Sequence, residues 1–227
     1  MRDLLSVETV AFTVLGYPMS YIELFGTILY LASVWLIARR HMLTWPVGIL
    51  SVLLYMALFY QIRLYSDALE QIYYLGASVY GWWYWSKTQT EKHVVEDVRF
   101  SASSPILLTL CLTAVLGALA GAAMSRAHLA LPSLFPEPAS YPYVDALTTV
   151  MSFTAMGLMT RKRIESWLYW IVVDVLGIWL YSVKGVKLIA LLYLILLGLA
   201  FKGLASWLKA GGVLATPAAP RSAAARR

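Results

Sequence analysis

Trp167, Trp170, Asp174, Gly177 and Tyr181 are spaced three, four, three and four residues apart, which sets all five on one stripe of a helix. They sit in an apolar run, Ser166 to Ser182, that with its flanks is long enough to cross a bilayer. A carboxylate near mid-membrane costs roughly 2.5–3.5 kcal/mol on insertion scales, so Asp174 must face protein or water. Two indoles, a phenol and one anion on a single stripe describe a receptor for a flat, cationic or hydrogen-bonding solute. The structural alternative is that the tryptophans anchor a helix end at the interface and Asp174 bonds a neighbouring helix.

A second polar stripe lies upstream, where Asp67, Gln71, Tyr74 and Ser78 recur at i, i+4, i+7 and i+11. Glu23, Glu70 and Asp145 add further acids at span edges, and no Lys or Arg sits mid-span to neutralise them. The expected pocket is electronegative and suits a neutral or positively charged solute. Glu23 and Asp145 also fit helix starts, where a carboxylate meets unpaired N–H groups. His41, His93 and His128 fall in loops without ligand-like spacing, so no metal and no cofactor is expected. The lone Cys111 leaves no partner for an internal disulfide. An intramembrane enzyme would need a nucleophile–base pair or a metal cluster, and these residues supply neither.

The elements that must position these stripes follow from composition. Of 227 residues 60% are hydrophobic and only 13% charged, against about 25% charged in a soluble domain, so the chain reads as an all-α membrane protein. The net charge of +6 belongs to loops and tail; lipid is the natural partner and nucleic acid is not. Seven transmembrane helices are expected, over about 21–38, 45–60, 67–85, 104–124, 143–160, 167–183 and 187–206. Residues 1–20 read as an interfacial segment. Residues 86–142 read as a linker with a central helix, whose Gly117 and Gly121 give it a small-residue face. Within that linker 86–103 reads as a charged connector and 125–142 as a proline-rich loop. Gly81 to Trp85 reads as an aromatic belt, and 208–227 as a disordered tail.

The chain repeats itself. A shift of 122 residues aligns 21–85 with 143–207 without a gap, pairing Tyr21 with Tyr143, Arg39 with Arg161, Trp45 with Trp167, Gly81 with Gly203 and Trp85 with Trp207. Two three-helix repeats around one linker helix share an orientation in the membrane, a plan known among transporters with a midplane site at the repeat interface. The copies diverge where chemistry is expected. Trp170 and Asp174 face Gly48 and Val52, whereas Asp67, Gln71 and Tyr74 face Ile189, Tyr193 and Leu196. One asymmetric pocket follows, to which Trp45, matched to Trp167, is a further candidate.

Several stretches resemble the PnuC nicotinamide riboside transporter family: Trp45-Pro46-Val47-Gly48-Ile49, Leu64 to Gln71, Val79 to Trp85, Glu165 to Asp174 and Ala190 to Ile195. The resemblance covers most of 20–209 and implies a 3+1+3 plan like a full-length SWEET sugar transporter, in a bacterial inner membrane. It implies facilitated diffusion of nicotinamide riboside, with trapping inside by a separate phosphorylating kinase, and no ATP. The family's Trp-x-x-Trp and the polar residue one turn later fall on Trp167, Trp170 and Asp174, and its third-helix amide on Gln71. The sequence departs from the family where Asn is common, at Asp174 and at Thr44. Relatives carry thiamine, riboflavin or deoxynucleosides, so thiamine stays open as substrate, as does a structural or signalling membrane protein. A homo-oligomer is expected.

Orientation follows from Lys and Arg. With the N-terminus outside, thirteen of them, among them Arg39, Arg40, Arg161, Lys162 and Lys209, fall inside, against Arg2, Arg63, Arg126, Lys184 and Lys187 outside. In a background lacking Cys111, Ser133→Cys should then react with an impermeant thiol reagent from outside and Ser222→Cys should not. The reverse pattern would remove the N-out, C-in assignment.

Overall fold

The computed structural model describes residues 3–14, 16–90, 98–130, 132 and 137–213. His93, Ser133 and tail residues 214–227 lie outside them. Seven helices are present: α1 (Tyr21–Ala38), α2 (Thr44–Gln61), α3 (Tyr65–Thr90), α4 (Ser103–Ala130), α5 (Pro142–Thr160), α6 (Ser166–Val183) and α7 (Lys187–Ala210). Five of them, α1, α2, α4, α6 and α7, are long and apolar enough to cross a membrane. The two more polar helices, α3 and α5, pack against each other, and α3 carries the second polar stripe, Asp67, Gln71, Tyr74 and Ser78.

The expected spans agree with the helices to within a few residues, with differences at three ends. α3 runs on to Thr90 into the charged connector, α4 continues through Ser125–Ala130 where a loop was expected, and α7 extends to Ala210. Each extension carries a basic residue, Lys87, Arg126 or Lys209, so the apolar stretch stops before the helix does. The segment 1–20 forms a 3-10 turn, Asp3–Leu5, and an antiparallel hairpin of β1 (Val10–Val14) and β2 (Tyr17–Ser20). Ser20 caps α1 by accepting from Glu23 N, and Tyr17 donates to the Glu23 carboxylate at 3.0 Å. Burial and the neighbouring Glu23 push the Tyr17 phenol up to about 12, so it stays a donor at neutral pH.

The helix connections repeat at the 122-residue interval. α1 and α5 end on left-handed residues, Arg40 (φ 59°) and Lys162 (φ 56°), and α2 and α6 on Arg63 (φ 62°) and Gly185 (φ 76°). Each turn returns an N–H to a last-turn carbonyl, His41 N to Leu36 O and Arg163 N to Leu158 O, Leu64 N to Phe59 O and Val186 N to Tyr181 O. That closure satisfies carbonyls the helix leaves open and requires a positive φ. Gly185 adopts it without a Cβ penalty and Arg63 does not.

Contacts run α1–α2–α3 and α5–α6–α7, with α1 on α7 and α3 on α5 joining the two sets. We call the end carrying the strands the hairpin end and the opposite one the tail end. α4 packs along α5, where Gly117 and Gly121 admit Leu147 and Tyr143, and Thr113 Oγ1 meets Thr154 Oγ1 at 3.0 Å. After the connector the chain returns as a strap. Arg99 N donates to Lys162 O and Ile164 N to Arg99 O, and Ser101 N donates to the buried Glu165 carboxylate at 3.2 Å. Val98 is buried beneath Gly211 at the end of α7.

The main core lies at the tail end and contains Trp45, Trp85, Trp167 and Trp207. Trp45 lies against Gly81 and meets Trp85 edge-on (5.2 Å, 86°); Trp167 lies against Gly203 and meets Trp207 edge-on (5.6 Å, 86°). Trp82 and Trp83 do point outward, but Trp85 is buried, so the belt expected of Gly81 to Trp85 is confined to two residues. Gly81→Ala and Gly203→Ala should each destabilise by about 1–3 kcal/mol, because the new Cβ meets an indole that has nowhere to go. Gly76→Ala and Gly198→Ala, where a Cβ meets nothing within 4 Å, should be neutral or stabilising. Thermal unfolding in detergent checks all four, and equal midpoints would remove the glycine seats.

Candidate functional site

Asp174 is the ninth of 18 residues in α6, about 12 Å from either helix end at 1.5 Å per residue. It is 3% exposed. Among the described residues no hydrogen bond or ion pair holds its carboxylate, although buried charges are ordinarily paired. The phenols of Tyr30 from α1 and Tyr193 from α7 lie within Coulombic reach of it. Tyr74 from α3 lies in turn near Tyr30 and Tyr193. Four helices thus bring one anion and three phenols together.

Local sequence makes this possible. Gly177, one turn beyond Asp174, carries no side chain where a Cβ would strike the Tyr193 ring, so that ring rests on the α6 backbone. Tyr193 is then stacked by Tyr181 at 5.5 Å and 17°. On the other side Phe153 of α5 meets Tyr74 edge-on at 5.8 Å, while Tyr73 donates to Phe153 O at 2.7 Å and fixes α3 against α5. Trp170 is half-buried and packs on both core clusters, between the aromatic group and the tail-end core. Ser78, 3% exposed, lies one turn below Tyr74 on the same stripe of α3.

Towards the hairpin end the contact between α3 and α5 becomes acidic. Asp67, Glu70 and Asp145 lie within reach of one another, and Thr149 hydrogen-bonds Glu70. Tyr193 feels both Asp174 and the Glu70 and Asp145 charges, so it stands between the two anionic levels. The Gln71 amide makes a long 3.4 Å contact to Asp67 O on its own helix, leaving most of its capacity unused. No group of three or more metal-ligating side chains occurs among the described residues.

The predicted site residues therefore divide. Asp174, Tyr181 and Tyr74 gather around Tyr193, with Asp67 within reach of Tyr181, whereas Trp170 lies between the two core clusters and Gln71 bonds only its own helix. Trp45 and Trp167 are not exposed to lipid as anchors would be: they are 2% and 1% exposed, and their rings pack against glycine and a second tryptophan. What each retains is its indole N–H, which is buried and finds no acceptor among the described residues. An orphaned buried donor costs about 1–3 kcal/mol unless water or a solute meets it. Sequence reasoning missed Tyr30 and passed over Tyr193 as a mere counterpart of Gln71. Comparing first helices would have found Tyr30, whose counterpart is Ser152, a residue that hydrogen-bonds Tyr74.

Residues 20–209 match the model of the family described as nicotinamide mononucleotide transporter. The chain is 31% identical to the nicotinamide riboside transporter PnuC of Escherichia coli strain K12, over 85% of this chain and 87% of that one. It is 29% identical to the riboflavin/roseoflavin transporter RibM of Streptomyces davaonensis, over 87% and 89% of the two chains. A crystal structure of the vitamin B3 transporter PnuC superposes with a TM-score of 0.64 at 21% identity, covering 85% of this chain and 83% of that one, and shares the fold.

Proposed function

This chain belongs to the nicotinamide mononucleotide transporter family, and we propose that the solute it carries across the membrane is nicotinamide riboside. The observation that carries this reading is the unpaired, buried Asp174 halfway along α6, enclosed by aromatic rings from neighbouring helices. A pyridinium cation satisfies that carboxylate, its flat ring stacks on Trp170 or the tyrosines, and its ribose and carboxamide engage Gln71, Tyr74 and the free indole N–H of Trp167. A desolvated cation–π contact contributes about 2 kcal/mol, so two faces with hydrogen bonds reach the roughly −8 kcal/mol of micromolar binding. Asp67, with Glu70 and Asp145, draws a cation toward the path, and Tyr181 closes over it. A flavin is the competing solute, favoured by the likeness to the riboflavin/roseoflavin transporter; a neutral flavin ring leaves Asp174 unanswered. Thiamine, also cationic, is the second comparison.

All seven helices are read as spanning, as 3+1+3 parallel repeats in the manner of a full-length SWEET transporter. Supporting this are the left-handed turns at Arg40 and Lys162 and at Arg63 and Gly185, and the Trp45–Gly81 and Trp167–Gly203 seats, all 122 residues apart. The hairpin end faces outside and the C-terminus faces the cytoplasm, as the Lys and Arg distribution demands. Transport is facilitated diffusion by rocking of the two units about the midplane site, with a separate kinase trapping the product inside. Each copy carries its own site within a homo-oligomer.

Two measurements test the reading. Purified protein in liposomes should equilibrate nicotinamide riboside without nucleotide or imposed ion gradient; accumulation above the outside concentration, driven by sodium or protons, would overturn uniport. In isothermal titration Trp170→Ala and Asp174→Ala should each weaken binding by about 1–2 kcal/mol, roughly five- to thirtyfold. Val52→Ala, at the position matching Asp174 in the first unit, should change it far less. Equal losses at 52 and 174 would make the stripe scaffold, and tighter binding of thiamine or riboflavin would replace the substrate.

A further inference from the structure

We infer that Trp85 and Trp207 form the gate at the tail end, holding the path shut through one indole hydrogen bond each. This rests on the reading that the two three-helix units move against each other. Trp85 of α3 donates from Nε1 to Thr160 O at the end of α5, and Trp207 of α7 donates from Nε1 to Ile37 O at the end of α1, both at 3.0 Å. Each bond crosses from one unit to the other, and the two donors are 122 residues apart.

Their surroundings fit a latch better than a fixed joint. Both rings are buried, 2% and 0% exposed, and lie 6.3 Å apart across the boundary between units. Each is met edge-on by the seated indole of its own unit, Trp45 or Trp167. The seat keeps the donor with its unit, while the acceptor belongs to the other. A hydrogen bond is lost once donor and acceptor separate beyond about 3.5 Å, so a small tilt of one unit breaks both bonds and leaves each unit internally packed. Packed interfaces of this kind switch between discrete states rather than stretch. The hairpin end holds no matching pair of latches among the described residues: across α3 and α5 it sets Asp67 and Glu70 toward Asp145, like charges that resist closure. On α3 the stripe Asp67, Gln71, Tyr74, Ser78 ends at Trp85, five turns on, so the gate closes the same path that holds the site.

The test uses the full chain, with Cys111→Ser, in oriented liposomes. Ser78→Cys, about 10 Å above Trp85, reports whether an impermeant methanethiosulfonate reaches the path from the tail side. Trp85→Phe and Trp207→Phe keep an aromatic ring and remove the donor. Each should speed tail-side labelling about five- to tenfold, as expected for loss of one net hydrogen bond, while Trp82→Phe, on the exposed face, should not. Unchanged labelling in variants that still bind nicotinamide riboside would overturn the gate. Uptake by the unsubstituted protein in the same liposomes separates the two readings: no uptake sinks the transport premise, whereas uptake with unchanged labelling sinks the gate alone. Should the Phe variants not fold, indole N–H exchange in the unsubstituted protein decides. The Trp85 and Trp207 signals should exchange faster with nicotinamide riboside on both sides, and equal protection with and without it would overturn the proposal.

Discussion

A carboxylate with no counter-charge, buried halfway along a membrane helix, is the constraint around which this protein is arranged. In hydrocarbon such a group is expelled, so Asp174 depends on α1 and α7, which bring Tyr30 and Tyr193 within Coulombic reach of it. Phenols suit this duty: each packs an apolar ring and keeps a polar hydroxyl at its tip. Gly177 is the complementary concession, a missing side chain that lets Tyr193 lie against the helix bearing the charge. The same enclosure leaves the carboxylate unbonded, and an unbonded anion in an aromatic enclosure is what a flat cation recognises.

The duplication separates structure from chemistry. Where the two units are identical, they perform the same packing: Trp45 on Gly81 beside Trp85, and Trp167 on Gly203 beside Trp207, with the same edge-on geometry. Where they differ, the differences fall on the polar stripes, Asp174 of the second unit and Gln71 and Tyr74 of the first. A site that must recognise an asymmetric molecule gains nothing from twofold likeness, whereas seats and turns lose nothing by it.

The units also differ in how they are tethered. The Val98–Ser101 strap clamps the α5–α6 turn through Arg99, Ile164 and Glu165 and lies under the end of α7. No such strap covers the α1–α2 turn among the described residues. The second unit therefore carries a brace at the tail end that the first does not.

How much of this was legible in the sequence depends on the range of the interaction. Helix positions were, because hydropathy and turn signals act within a few residues; only ends lying beyond the apolar stretch, at Thr90, Ala130 and Ala210, escaped. The 122-residue interval between matching turns and tryptophan seats was legible too, and so was the burial of Asp174, since a polar group on an apolar helix has few places to go. The motifs of residues 20–209 marked the family. Periodicity reports which residues share a helix face, but not what stands opposite. Only the tertiary structure decided that Trp167 and Trp45 give their faces to glycines, that Tyr30 and Tyr193 join Asp174, and that Trp85 leaves the membrane belt for a carbonyl on α5. Those outcomes depend on helix contacts, within one unit for the glycine seats and across the two units for Trp85, that no local pattern encodes.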